Sequence, residues 1–225
     1  LSRRPTPSDD DIVSAVYPNL GYDAVCIGHQ EFINGMDYFK NNLYSKLPFV
    51  SANLLFDDEE MNVEKYRIIE TKNGIKIGVT GVNYINNFKY LYRMDAVTEK
   101  DIIIGRAFDE LRPVLKELNE KSDIVIVLAQ LSEEALVKLI DDVDGFDLVI
   151  GGNNLTEFKY ARNINGKIHV QNGRDGEKIG NVVFKHNADG KLEFETYELI
   201  KILARNNGYA RDEAIDKIII DMESR

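Results

Sequence analysis

Cysteine is almost missing from this chain. The single thiol, Cys26, excludes an internal disulfide framework and any thiolate metal cluster. It lies in the apolar run Ala24-Val25-Cys26-Ile27, where a buried, inert thiol is expected. No Cys-x-x-Cys-His motif exists, so the chain carries no covalently attached haem. Long apolar runs are missing too. None reaches the roughly 18 residues of a membrane span, so no membrane insertion is expected. Positive charge is short as well: 28 Lys and Arg face 38 Asp and Glu, a net charge of −10. Phosphate contact needs a basic face, so nucleic acid is excluded as a partner, and docking to an anionic membrane is disfavoured. The opening Leu1-Ser2-Arg3-Arg4-Pro5-Thr6-Pro7-Ser8 lacks the apolar segment of a signal peptide and does not begin with Met. The expectation is a processed or trimmed chain with residues missing upstream.

What is present suits a soluble globular protein. The 225 residues are 44% hydrophobic and 29% charged, enough for one large domain or two small ones. Ser8-Asp9-Asp10-Asp11 supplies cap and first-turn carboxylates for a helix to about Leu20, with Ile12, Val13, Val16 and Leu20 on one face. A buried strand over 23–27 follows, then a loop over 28–35 and a helix from about Asp37 to Leu43. The run 47–54 reads as a second buried strand, and Asp57 to Val63 as solvated acidic loop. Segments 66–70 and 75–82 bracket Lys72-Asn73-Gly74 as a hairpin with an Asn-Gly turn. The Tyr- and Asn-rich stretch 83–98 shows no period and reads as a long loop. Helices are expected from about Ile102 to Glu120 and from a Ser132 cap to about Val143. Between and after them lie the buried strands Ile124–Leu128 and Phe146–Ile150.

Beyond Gly151-Gly152 the pattern alternates. Segments 168–171, 180–186 and 192–197 read as antiparallel strands of a sheet exposed on one side. Asp212 to Met222 is an amphipathic helix with Ile215, Ile218 and Ile219 inward. A single domain over 1–225 is expected, with 205–225 as a terminal linker or helix and Asn206-Asn207-Gly208 as the linker. Buried strands with helices, then meanders, give an α/β layered sandwich with a mixed sheet.

Five features in order carry a resemblance. They are Gly21-Tyr22-Asp23-Ala24-Val25 leading into Gly28-x-x-Glu31-Phe32; Leu47-Pro48-Phe49-Val50-Ser51-Ala52-Asn53-Leu54; Gly74-Ile75-Lys76-Ile77-Gly78-Val79-Thr80-Gly81; the pair Asp123–Leu128 and Asp147–Gly152; and Gln171-Asn172-Gly173-Arg174-x-Gly176-x-x-Ile179-Gly180. The series resembles the metallophosphoesterase domain of the 5′-nucleotidase family, in the calcineurin-like phosphoesterase superfamily, over about residues 9–222. The resemblance implies a four-layer α-β-β-α sandwich with mixed sheets, here lacking the N-terminal strands. It also implies a two-metal site at the strand carboxyl ends, where two cations (Mn, Zn, Fe or Mg) clamp a phosphate and activate water.

The chain departs from that pattern at the ligands. Where the family has Gly-Asn-His-Glu, this chain has Gly28-His29-Gln30-Glu31. His29 takes the place of the metal-bridging Asn, and Gln30 that of the His that assists at the phosphate. Gln130 stands where a ligand His should end its strand. Gly151-Gly152-Asn153-Asn154-Leu155 replaces Gly-Gly-His-x-His. The two earliest motifs, an Asp-x-His and a Gly-Asp, would precede residue 1. A dication needs several anionic or imidazole ligands converging on one point. Amides are neutral, weak ligands, but they can hydrogen-bond to one another and fill a pocket. No metal is therefore expected, with His29 and Asn153 as the weak candidates.

Other residues read as structural. His29 is expected to be a hydrogen-bonded loop histidine, with a leftover ligand as the alternative. His169 and His186 read as surface or half-buried residues. Glu31 resembles a family position that orients its loop, and Gly28, Gly151 and Gly152 keep the loop shape. Asn172 to Gly176 reads as a turn, with ligand contact as the alternative. The clusters Asp9-Asp10-Asp11 and Asp57-Asp58-Glu59-Glu60 read as solvated charge.

Three functions stay open. The first is an inactive phosphoesterase-like domain kept as a binding or structural module, its partner another protein chain or further domains of a larger protein. The second is an active metal-dependent phosphoesterase of nucleotides or related esters, its ligands completed upstream. The third is small-ligand binding or other chemistry in the former active-site pocket. The family resemblance implies an extracytoplasmic location, periplasmic or secreted.

Overall fold

The apolar runs of the sequence assemble into one six-stranded mixed sheet. A computed structural model describes residues 7–94, 96–153, 156–174, 176–202 and 212–223. The sheet contains β4 (Tyr66–Glu70), β5 (Lys76–Asn83), β7 (Ile124–Gln130), β8 (Leu148–Gly151), β9 (Arg162–Ile164) and β10 (Lys167–Val170), in the order β4-β5-β7-β8-β10-β9. The four central strands β5, β7, β8 and β10 run parallel, and β4 and β9 close the edges antiparallel. The expected β4–β5 hairpin forms, and Gly74 takes the positive φ of 79° that its turn requires.

Strand alternation gives this sheet two apolar faces. On one face Val82, Val125, Val127, Ala129 and Val149 meet α4 (Ala107–Lys121) and α5 (Glu133–Asp142). Helix α4 buries Leu111, Val114, Leu115 and Leu118, the face the periodicity predicts. Ser132 caps α5 by accepting from the Ala135 N–H at 3.3 Å. The buried Lys167 closes the other end, donating from Nζ to the Ile140 carbonyl at 2.6 Å while pairing with Asp144 at 2.9 Å. A cation at a helix carboxyl terminus complements its exposed carbonyls.

On the opposite face lies a second β layer. The parallel pair β1 (Val25–Cys26) and β2 (Phe49–Val50) packs over β5 and β7. The hairpin β11 (Lys178–His186) and β12 (Leu192–Lys201) sets Val182, Phe184, Phe194 and Tyr197 against Leu148, Ile168 and Val170. A further cluster around Ile27, Phe32, Phe39, Phe49 and Phe88 joins β1 to the helices beside it. Helix α1 (Pro7–Val16), continued by a 3-10 turn to Leu20, rests against α6 (Glu213–Glu223). This is an α/β architecture with mixed sheets.

The structure revises several expectations. The stretch 83–98 is not a long loop: α3 (Ile85–Arg93) forms there and buries Phe88 and Leu91. Asn and Tyr are weak helix formers, so tertiary burial of those two side chains decides the conformation. The helix expected from Ile102 begins later. Ile102–Ile104 forms β6, antiparallel to β3 (Leu54–Phe56), as three β-branched residues favour. The single strand expected over 47–54 is therefore two short ones, β2 and β3. The strand expected over 23–27 is only Val25–Cys26, and α2 (Met36–Phe39) runs on into a π-helical turn, Lys40–Tyr44.

The largest correction concerns β10. Its segment reads as one-sided and antiparallel in sequence; it does pair antiparallel with β9, but its other neighbour, β8, is parallel and all four residues are buried. His169, expected at the surface or half-buried, is 1% exposed. His186 is exposed, as expected. Asn154, Leu155, Asp175 and the linker Asn206-Asn207-Gly208 lie outside the described residues.

Candidate functional site

The carboxyl ends of the parallel strands bring a set of amides together. Gln130 ends β7. Its backbone carbonyl accepts from Asn87 Nδ2 at 3.1 Å and from the Tyr84 N–H at 3.2 Å. Asn87 Oδ1 in turn accepts from Asn153 Nδ2 at 3.3 Å, just past the end of β8. Asn153, Asn87 and Gln130 thus form one chain of neutral donors and acceptors.

The Gln130 side chain lies between two glycine loops. A Cβ at Gly28 would stand 3.3 Å from Gln130 Cδ, and one at Gly152 would stand 3.3 Å from Gln130 Nε2. Gly151 is tighter, since a Cβ there would come within 2.5 Å of Gln171 Oε1. Gln171 Nε2 donates to the Thr156 carbonyl at 2.7 Å. So the glycines leave room for amide side chains, a close-approach use of glycine.

The loop after β1 is held from within. The Gly28 N–H donates to Glu31 Oε2 at 2.8 Å, and Glu31 is buried. Burial pushes the Glu31 carboxyl above its ordinary range, opposed by the Gly28 hydrogen bond. Glu31 opens its 3-10 turn together with Gln30, and Phe32 drops into the aromatic cluster below. His29 is half-buried, its ring edge-on to Phe88 with centroids 6.3 Å apart. Its Nδ1 is buried without a partner. Burial lowers its proton affinity, so the ring is neutral at neutral pH.

Deeper in the same region sits a pair that sequence reasoning passed over. Asn53 Oδ1 accepts from the Asn83 N–H at 2.8 Å, and Asn53 Nδ2 donates to the carbonyls of Asn83 and Gly105. Asn83 Nδ2 donates to Ser51 Oγ at 3.0 Å. Asn87 was missed because its segment reads as loop. Asn53 and Asn83 each follow or end a buried strand, and a polar residue there is the one sequence signal that marks them.

The residues that could hold a metal are few. Among the described residues, no three His, Cys, Asp or Glu side chains gather into a group able to bind an ion. The groups at the strand ends are amides and one imidazole, a poor donor set for a dication. Glu31 already accepts the Gly28 N–H, and the thiol of Cys26 is pushed up to about 12 by burial and then by the Glu31 charge.

No family model matches the chain. In sequence it is similar to the 5′-nucleotidase of Vibrio cholerae, 25% identical over 222 residues, covering 81% of this chain and 38% of that protein. It is also similar to Protein UshA of Yersinia enterocolitica, 24% identical over 243 aligned positions, covering 91% and 42%. In structure it is similar to a 5′-nucleotidase precursor from Thermus thermophilus. That match has a TM-score of 0.75 and 16% identity, and covers 98% of this chain and 47% of that one. The calcineurin-like phosphoesterase YfkN from Bacillus subtilis matches with a TM-score of 0.69 and 20% identity, covering 97% and 76%.

The fold is that of the calcineurin-like phosphoesterases, and in sequence the chain is similar to 5′-nucleotidases. The chain spans about two fifths of the length of these two curated relatives, at 38% and 42%. Among the described residues, no helix is long and apolar enough to cross a membrane.

Proposed function

We propose that this domain has lost the two-metal chemistry of its superfamily and serves as a binding or structural module. One observation carries the reading: Gln130 occupies the space between Gly28 and Gly152, with Asn87 and Asn153 tied to its strand end. Two dications do not fit a donor set of amides and one neutral imidazole, because little charge offsets their lost hydration. A neutral hydrogen-bonded network is stable in the same place without any ion. The partner is another protein chain or a further domain of a larger protein, and the location is extracytoplasmic. Similarity to a 5′-nucleotidase precursor supports that location.

The test is phosphate release from nucleoside monophosphates by the purified chain with Mn or Zn present. No release above the protein-free rate is expected. Turnover that rises with added metal would overturn the reading. Detection of the chain in the extracytoplasmic fraction of its native cells checks the location, and recovery in the cytosol alone would contradict it.

A further inference from the structure

A buried imidazole with nothing to bond needs a reason. His169 is sealed under the sheet's edge, and both of its ring nitrogens are buried without a hydrogen-bond partner. An apolar side chain would fill the same space at less cost.

Its cover is thin. Segment 156–164 crosses the ring and ends in β9, a three-residue strand at the edge of the six-stranded sheet. Phe158 is the only buried residue of that segment. Its ring stands edge-on to His169, with centroids 4.7 Å apart, and the Arg162 guanidinium lies over the same ring. Two further ties run to Gln171. The Phe158 N–H donates to the Gln171 carbonyl at 3.0 Å, and Gln171 Nε2 donates to the Thr156 carbonyl at 2.7 Å. A short edge strand anchored by one buried side chain belongs to the low end of local stability.

Strand register adds a charge. In the antiparallel β9–β10 ladder His169 stands directly opposite Arg162. Like charges in that position repel. The other charged groups around the ring are engaged elsewhere. Arg162 pairs with Glu133 of α5 at 3.7 Å, and Lys167, on the same face of β10, pairs with Asp144. Glu157 pairs with Lys178 of β11, and β8 sets only the uncharged Val149 beside His169. None of these carboxylates bonds the imidazole.

We propose that segment 156–164 is an acid-released flap: a proton on His169 sets a second positive charge opposite Arg162, and the segment parts from β10. The proton comes from water as the flap opens. Release frees Thr156, which follows Asn153 by three residues, and so loosens the rim of the candidate site. It also leaves β10 as the edge of the sheet.

The direction follows from burial. Under the closed flap the imidazole is pushed from 6.5 down to about 4, while in the open state it is solvated. The closed form is therefore fully favoured above pH 6.5 and loses that advantage as pH falls towards 4. Opening should become about thirtyfold more frequent by pH 5 and about three-hundredfold in all. Solvated carboxylates titrate near 4, so the span from 6.5 to 5 belongs to the imidazole.

Hydrogen exchange of the whole chain at pH 7.5 and pH 5, corrected for the intrinsic rate at each pH, tests this. Amides over 156–164, that of Phe158 above all, should open about thirtyfold more often at pH 5. They should also open at least about tenfold more often than amides of β5 and β7, which wait for the whole fold. His169→Gln cannot take up the proton and should abolish the rise. Arg162→Gln should leave a smaller one, since burial of the ring remains. An equal rise in His169→Gln, an unchanged rise in Arg162→Gln, or opening of 156–164 only together with β5 and β7 would overturn the inference. Where a variant does not fold, the His169 ring of the parent chain decides by NMR. It should stay neutral in the folded chain down to pH 5, and titration near 6.5 like a solvated imidazole would overturn the inference.

Discussion

The Asn53 side chain clasps both backbone polar groups of Asn83. The Asn53 side chain accepts from the Asn83 N–H at 2.8 Å and donates to the Asn83 carbonyl at 2.9 Å. Both residues are buried, at 2% and 1% exposure. The pair fastens the loop after β2 to the carboxyl end of β5, beside the amides of the candidate site. Truncating Asn53 to Ala leaves an N–H and two carbonyls without that partner. A loss of about 2–3 kcal/mol is expected, since buried groups left unpaired cost about 1–3 kcal/mol each and relaxation recovers part of it. Urea unfolding of Asn53→Ala at constant slope measures it, and a loss under about 0.5 kcal/mol would contradict the assignment.

Gly81 sets how closely the two β layers approach. A Cβ there would come within 2.5 Å of the Val50 carbonyl oxygen and 2.8 Å of Cys26 Sγ. The nearer atom is backbone and cannot swing away. Gly81→Ala should therefore force β1–β2 off the larger sheet and cost about 3 kcal/mol, the upper range for overpacking. Gly74→Ala also loses stability, through its positive φ alone, since nothing stands near a Cβ there. The expected loss is about 1 kcal/mol. Thermal unfolding of the two variants should rank them in that order.

His169 makes stability depend on pH. Its ring is buried edge-on to Phe158, and the Arg162 guanidinium lies over the Phe158 ring, 3.6 Å from its centroid. Burial first, then the Arg162 charge, pushes the imidazole from 6.5 down to about 4, with Gln171 opposing. The unfolded chain therefore takes up a proton before the folded one. The contribution of His169 is complete above pH 6.5 and declines as pH falls towards 4, by about 3 kcal/mol in all. Unfolding free energies between pH 7 and 4 test this, with His169→Gln as the control that removes this part of the slope. An unchanged slope in that variant would contradict it.

Cys26 should resist alkylation. Burial holds its thiol at about 12, so almost no thiolate exists at neutral pH. Cys26 is half-buried rather than sealed off, so iodoacetamide should label it in the folded chain but far more slowly than a free peptide thiol, and labelling as fast as a free thiol would contradict the raised pKa.

Much of this fold is legible in the sequence because periodicity reports burial directly. The apolar runs at 124–128 and 146–150 become central strands, and the spacing of Leu111, Val114, Leu115 and Leu118 becomes the inner face of α4. What the pattern conceals is decided by neighbours far off in sequence. Helix α3 exists because Phe88 and Leu91 meet the aromatic cluster of Phe32 and Phe39. The polar residues Lys167, His169 and Gln171 alternate with apolar ones and suggest a wet face. Each is buried, with Lys167 Nζ on a helix carboxyl end and Gln171 Nε2 on the Thr156 carbonyl. At the candidate site, Gln130 and Asn153 are legible as departures from a resembled pattern. Asn87, which joins them, is not, because its helix is hidden.

Metal content tests the central claim most directly. The purified chain, incubated with excess Mn and Zn and freed of unbound ion, should retain less than one equivalent of either by elemental analysis. Two equivalents, lost on chelation and accompanied by two anomalous peaks between His29, Gln130 and Asn153 in a crystal, would contradict the account.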